Sequence, residues 1–132
     1  NSYQGKIYLA KSTDGINWSQ PIATNVQSDS VDVKYETTAS GYRYLMFAQE
    51  GHHMASGHTT VRESSDGITW TAPKDLTPPS SVPYTHNIGV SSGPSGELLD
   101  GTFLVGYGAP YDLVNDLSWA KWDLYGQLFQ RD

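Results

Sequence analysis

The sequence STDGINW at residues 12–18 recurs as SSDGITW at residues 64–70. The two aspartates, Asp14 and Asp66, are 52 positions apart. Each copy reads as a tight turn, because an aspartate can accept backbone N–H bonds locally and the following glycine tolerates a positive φ angle. The tryptophan that ends each copy is expected to pack back between neighbouring sheets. A hairpin repeated at this interval predicts a repeat protein built from antiparallel strands.

A second, weaker repeat of strand-like segments lies between and after the two hairpins. Strand-like segments at 31–35 and 44–48 recur 57 and 58 residues later as segments at 88–92 and 102–107. Four short antiparallel strands in each period of about 40 to 50 residues are typical of β-propeller blades. Nothing in the chain reads as a long amphipathic helix, so the sequence predicts an all-β fold.

The repeats divide one domain, residues 1–132, into about two and a half blades. We expect a partial blade at 1–27 and four-stranded blades at 28–79 and 80–132. The proline-rich segment 77–83 is expected to be a stiff connector between the last two blades, because proline cannot donate to a strand ladder.

Composition excludes several classes of function. The 132 residues include 8 Lys and Arg against 14 Asp and Glu, a formal net charge of -6, which repels phosphate backbones and anionic lipid surfaces. We therefore expect neither a nucleic-acid nor a membrane partner. The chain has no cysteine, which excludes a disulfide framework, a thiolate metal site and a cysteine nucleophile. It begins at Asn1 rather than Met, which fits a removed leader, a removed tag or a fragment boundary. A secreted, extracellular location is our expectation.

The two heptapeptides resemble the Asp-box (BNR-type) hairpin of sialidases and other glycan-active propellers. The resemblance implies a folding motif on the face opposite the ligand, so neither Asp14 nor Asp66 is expected to be catalytic. The strand openings at 31–33 and the middle strand at 42–47 resemble the five-bladed glycoside hydrolases of the arabinanase, xylosidase and fructosidase kind. Val33 stands where that family has proline.

This resemblance implies a carbohydrate-active propeller segment that acts on or binds a polysaccharide at its pore face. The alternatives are a non-catalytic, lectin-like carbohydrate-binding segment and a purely structural half-propeller. A glycosidase needs two facing carboxyl groups, roughly 5 to 5.5 Å apart for retention or 6.5 to 9.5 Å for inversion. The candidates on the implied ligand face are Asp32, Glu50 and Asp112.

For Asp32 the resemblance implies an orienting acid, whereas the alternative is a structural bond to N–H groups of the next blade. Glu50 could act as an acid or base by position, or be a solvated loop residue. For substrate contacts, the implied face and its loops offer His52, His53, His86, Asn87, Tyr84, Tyr111 and Arg62. Tyrosines outside the alternating strand positions suit stacking on a sugar ring. A lone arginine cannot form the cluster that recognises sialic acid, so sialidase activity is not expected.

The histidines allow two further interpretations. Imidazoles from adjacent blades could converge on a divalent metal at the pore, or they could simply line a polar loop. We predict no cofactor and assign no metal ligands. A closed ring of this family needs five or six blades, so the predicted blades must be completed by something else. A homodimer closing one five-bladed ring, with a blade assembled from both chains, is our first expectation. The rest of a longer parent chain is the alternative.

Overall fold

The computed structural model describes residues 5–28, 30–35, 44–50, 58–76, 86–91, 102–110 and 122–130. Within these ranges the chain forms strands and turns, and it contains no helix. Nine strands are present in the described residues: β1 (Gly5–Leu9), β2 (Ile22–Ser28), β3 (Val31–Tyr35), β4 (Tyr44–Glu50), β5 (His58–Ser64), β6 (Lys74–Leu76), β7 (His86–Val90), β8 (Thr102–Pro110) and β9 (Trp122–Gln130). The described part of the chain therefore offers no helix that could span a bilayer.

The strands form three antiparallel sheets in which sequence neighbours are also spatial neighbours. The first sheet is β1-β2, the middle sheet is β3-β4-β5-β6, and the last sheet is β7-β8-β9. The ladder of the first sheet shifts register between Lys6 and Tyr8. The all-β prediction is confirmed, including several antiparallel sheets. The described residues do not form a closed ring of sheets.

The middle sheet has a neighbour on each of its two faces. On one face, Met46 and Ala48 of β4 pack with Val26 of the first sheet. On the opposite face, Leu45 and Phe47 pack with valines of the last sheet. Since successive side chains of a strand point to opposite faces, β4 must be apolar at consecutive positions to fill both contacts. This explains why residues 45–48 read as an uninterrupted apolar run.

The two hairpins lie at one end of the sheets. The first joins β1 to β2 and the second joins β5 to β6. The opposite end of the middle sheet is where β3 begins, β4 ends and β5 begins. We call this the polar end, because Glu50 and His58 face each other there across the ladder.

Candidate functional site

Both hairpins are closed by the same local hydrogen bonds. The Oδ1 atom of Asp66 accepts the backbone N–H groups of Ile68 and Thr69, each at 2.8 Å. The hydroxyl of Ser64 accepts the N–H of Gly67 at 2.9 Å. Gly67 has φ of 77°, a left-handed conformation that favours glycine.

The first hairpin repeats each of these features. Asp14 Oδ1 accepts from Ile16 and Asn17 at 2.8 Å, and Ser12 Oγ accepts from Gly15 at 2.8 Å. Gly15 has φ of 75°. Each seven-residue copy thus forms the same turn, and the serine and aspartate side chains of that copy supply the closing hydrogen bonds.

These bonds also set the protonation state of the two aspartates. The N–H and side-chain amide of Asn17, with the N–H of Ile16, hold the pKa of Asp14 well below its ordinary value of 3.8. The N–H groups of Thr69 and Ile68 lower the pKa of Asp66, against a smaller opposing effect of desolvation. Hydrogen bonds to the charged form favour ionisation. Both carboxylates are therefore ionised turn-formers rather than acid–base groups.

The second hairpin ties the middle sheet to the first sheet. Asn25 of β2 accepts the N–H of Trp70 at 2.9 Å and donates its amide to the Trp70 carbonyl at 2.8 Å. The Trp70 ring is 4% exposed and packs with Val26 and Met46. Its indole N–H donates to the Gly67 carbonyl. Trp70 therefore packs between sheets, as the hairpin sequence predicts. The same expectation is wrong for Trp18, which is 62% exposed because no sheet among the described residues packs on the face of the first sheet away from the middle sheet.

Asp32 joins the middle sheet to the last sheet. Its Oδ2 atom accepts the N–H of Val90 in β7 at 2.7 Å, and its Oδ1 atom lies 2.9 Å from the Lys34 ammonium. The side chains of Asp32 and Lys34 are 23% and 14% exposed. Both carboxylate oxygens are thus engaged by protein donors. This geometry corresponds to the structural alternative for Asp32, a bond to an N–H of the neighbouring sheet.

Glu50 is held in a polar cluster at the polar end. Its Oε1 atom accepts from Arg62 Nη2 at 2.5 Å and from the Thr60 hydroxyl at 3.1 Å. Arg62 also donates through Nη1 to the Thr71 carbonyl, while its buried Nε has no hydrogen-bond partner. Two predicted site residues, Glu50 and Arg62, are therefore brought together. A sugar carboxylate could reach this guanidinium only by replacing Glu50.

Asp32 and Glu50 lie on opposite faces of the middle sheet. In the antiparallel ladder Asp32 is directly opposite Phe47, and Glu50 lies three residues beyond Phe47 on β4. Because side chains alternate with a period of two, an odd offset reverses the face. Asp32 accordingly contacts the last sheet, whereas Glu50 lies on the face toward the first sheet. The structure does not bring these two carboxylates together as a catalytic pair.

His58 and Asp75 complete the polar end. His58 Nε2 lies 3.3 Å from Asp75 Oδ1, and both side chains are substantially exposed. His58, Thr60 and Arg62 occupy alternate positions of β5, so they share the face of Glu50. Within the ranges described, no group of three histidine or acidic side chains is arranged to hold a metal ion.

Several predicted site residues cannot be placed at this cluster. His86 and Asn87 belong to the first two positions of β7. The remaining candidates lie outside the described residues: His52, His53, Tyr84, Tyr111 and Asp112.

The sequence interpretation missed Lys34, Thr60 and Asp75 as partners of the candidate residues. Thr60 could have been found from the alternate spacing of 58, 60 and 62 within one predicted strand. Lys34 lies two residues after Asp32 and therefore on the same face of β3. Asp75 offered no such signal, because its place opposite Thr60 depends on the register across the hairpin.

A groove of about 760 Å³ lies beside the two hairpins, between the first and middle sheets. Its walls include the aromatic residues Tyr8, Trp18, Tyr44 and Trp70. Tyr8 and Trp18 are 57% and 62% exposed. The groove is therefore a concave surface at the hairpin end, apart from the polar end.

No protein-family model, curated protein or solved structure matches this chain.

Proposed function

We propose that this chain is a segment of a carbohydrate-binding β-propeller. The observation that carries the proposal is the pair of hairpins with the same bonding, one of which packs its tryptophan against the neighbouring sheet. The bonded turn and the packed tryptophan both belong to the heptapeptides that resemble the Asp-box of glycan-active propellers. A middle sheet with one neighbour on each face also fits the radial stacking of propeller blades.

The ligand face of this proposal is the polar end. It lies opposite the hairpins, where the resemblance puts the ligand, and it displays Glu50, His58 and Asp75 near the ends of paired strands. Carboxylate and imidazole groups can exchange hydrogen bonds with sugar hydroxyls. Secretion suits this function, because it would bring the protein into contact with polysaccharides outside the cell.

Binding without turnover is the function that the geometry supports best. Hydrolysis needs two carboxyl groups on either side of one glycosidic bond. Asp32 and Glu50 lie on opposite faces, and each is already bonded to a cation of the protein. A glycoside hydrolase would have to recruit a different pair, and Asp112 lies outside the described residues.

The test is to measure binding and turnover with soluble arabinan, xylan and fructan, the polymers suggested by the family resemblance. We expect retarded migration in affinity gels containing at least one polymer, with no release of reducing ends. Glu50→Gln should bind as the wild type does, because glutamine keeps an Oε1 acceptor for Thr60 and Arg62. Glu63→Gln is the matched control, since Glu63 pairs with Leu45 on the opposite face of the same strand pair.

A second pair of variants locates the face. His58→Ala should weaken polymer binding several-fold, whereas Lys74→Ala, at the hairpin end of β6, should not. If the wild type releases reducing ends and Glu50→Gln does not, the function is hydrolysis rather than binding alone. Absence of binding to all three polymers, with folded protein, would contradict the proposal and favour a structural segment.

A further inference from the structure

The three sheets stack in chain order, and each contact between them joins two different faces. We call the face of a sheet toward the preceding sheet its front face, and the opposite face its back face. The front face of the middle sheet carries Met46, Ala48 and Trp70, and it contacts the back face of the first sheet at Val26. The back face of the middle sheet carries Phe47, and it contacts the front face of the last sheet. Both internal contacts are therefore back-to-front.

Each contact also includes a polar bond with the same direction. Asn25 of the first sheet bonds to the backbone of Trp70, which follows the second hairpin of the middle sheet. Asp32 of the middle sheet accepts the N–H of Val90 in the last sheet. In both cases a side chain of the earlier sheet binds the backbone of the later one. Among the described residues, this stacking leaves two faces without a neighbouring sheet: the front face of the first sheet and the back face of the last sheet.

The front face of the first sheet exposes two large aromatic side chains. Ile7 packs toward the middle sheet, so Tyr8 points to the front face, where it is 57% exposed. Trp18 corresponds to Trp70 at the repeat offset of 52, and the two hairpins share their closing bonds. Trp18 is nevertheless 62% exposed, whereas Trp70 is 4% exposed beneath the first sheet. Tyr8 and Trp18 also border the groove, because it follows β1 through residues 7–11 and so meets side chains of both faces.

The back face of the last sheet exposes three leucines. Val105 is buried against the middle sheet, so the preceding Leu104 points to the back face. Leu104 pairs with Leu128 across the ladder, and Leu124 lies four residues before Leu128 on the same face. These leucines are 44%, 70% and 85% exposed, whereas Leu45 on the back face of the middle sheet is 4% exposed. A cluster of large exposed apolar side chains marks an interaction surface.

We propose that the back face of the last sheet packs on the front face of the first sheet of a second copy of this chain. The contact continues the back-to-front stacking of the two internal contacts. Leucines of one copy would cover Tyr8 and Trp18 of the other, as Val26 covers Trp70 within the chain. Each copy exposes both kinds of face, so a second copy supplies both missing neighbours.

Two such contacts, related by a two-fold axis, close a dimer. Each contact is heterologous, because two different faces meet, and such contacts form a closed ring when the rotation closes. Three described sheets from each of two chains give six separate sheets, within the four to eight blades of closed propellers. This inference rests on the packing of sheets and does not depend on carbohydrate binding.

Three substitutions by lysine test the contact, and each adds the same charge. Leu128→Lys alters the back face of the last sheet, and Tyr8→Lys alters the front face of the first sheet. Both side chains are exposed, so both variants should fold, as circular dichroism can verify. Ile22→Lys is the matched control, because Ile22 is 47% exposed and lies four residues before Val26, on the back face of the first sheet.

The measurement is sedimentation velocity over two orders of magnitude of protein concentration. We expect the wild type and Ile22→Lys to form dimers as concentration rises. Leu128→Lys and Tyr8→Lys should each weaken dimerisation by about tenfold or more. An equimolar mixture of these two variants should dimerise more tightly than either alone, because the mixed dimer keeps one contact in which both faces are unaltered.

Four results would overturn the proposal. The first is a wild type that stays monomeric throughout. The second is association that Leu128→Lys weakens and Tyr8→Lys does not, which would indicate a contact between two last sheets, as in a five-sheet ring. The third is a mixture that associates no more tightly than the separate variants. The fourth is a mass that grows beyond two copies, which would show that the contact does not close.

Discussion

Replacing each hairpin tryptophan by alanine should have very different costs, although the two hairpins share their bonding. A buried tryptophan removes about 150 to 250 Å² from water, and about 25 cal/mol per Å² gives about 4 to 6 kcal/mol as an upper limit. Trp70 is almost fully buried and also donates its indole N–H to Gly67 at 3.2 Å. We therefore expect Trp70→Ala to cost about 4 kcal/mol of the free energy of unfolding, in the range found for large core truncations.

Trp18→Ala is the matched control in the same molecule. Because Trp18 is 62% exposed, only somewhat more than a third of its surface is buried, and the same scaling predicts a cost of about 1.5 kcal/mol. The assay is urea unfolding followed by far-ultraviolet circular dichroism, because the substitutions remove fluorophores. It is run on dilute protein, where self-association does not contribute.

With a denaturant dependence of about 2 kcal/mol per molar urea, Trp70→Ala should lower the midpoint by about 2 M. Trp18→Ala should lower it by about 0.7 M. Equal shifts for the two variants would refute the reasoning, because they would show that burial against the neighbouring sheet does not distinguish the hairpins.

Substitutions at three other positions test the contacts between and within sheets. Asp32→Ala leaves the N–H of Val90 without its acceptor and should cost about 1 to 3 kcal/mol in urea unfolding, whereas Asp32→Asn should cost less. Asn25→Ala removes both bonds to the Trp70 backbone and should lower the unfolding free energy by about 1 to 2 kcal/mol, without altering the strand content seen by circular dichroism. The pKa of Asp66 is lowered by folding, so its contribution to stability is present above pH 3.8 and is lost as the pH falls below it. Acid titration of Asp66→Asn should therefore show a shallower loss of stability than the wild type, and an unchanged slope would contradict this assignment.

The turns and strands of this protein could be predicted because their determinants are local. The Asp66 bonds reach only two and three residues along the chain, so the heptapeptide contains its whole turn. The segments 31–35 and 44–48 predicted as strands coincide with β3 and most of β4. Alternation and turn residues within a few positions are sufficient for this level of structure.

The arrangement of the candidate site could not be predicted, because it depends on register. Whether Asp32 and Glu50 share a face is decided by the pairing of Asp32 with Phe47 across a connection whose geometry the sequence does not specify. A shift of one residue would have put both carboxylates on the same side. The different burial of Trp18 and Trp70 is equally non-local, since the same heptapeptide pattern precedes both environments.

Symmetry restricts how two copies of this chain could close a ring. A sheet that lies on a two-fold axis is assembled from both chains and is counted once, whereas every other sheet is contributed twice. The three described sheets of each chain give six separate sheets, and joining the last sheets of the two chains into one gives five. The five-bladed homodimer expected from the sequence therefore requires one sheet shared across the two-fold axis, as when the β9 edges of two copies pair.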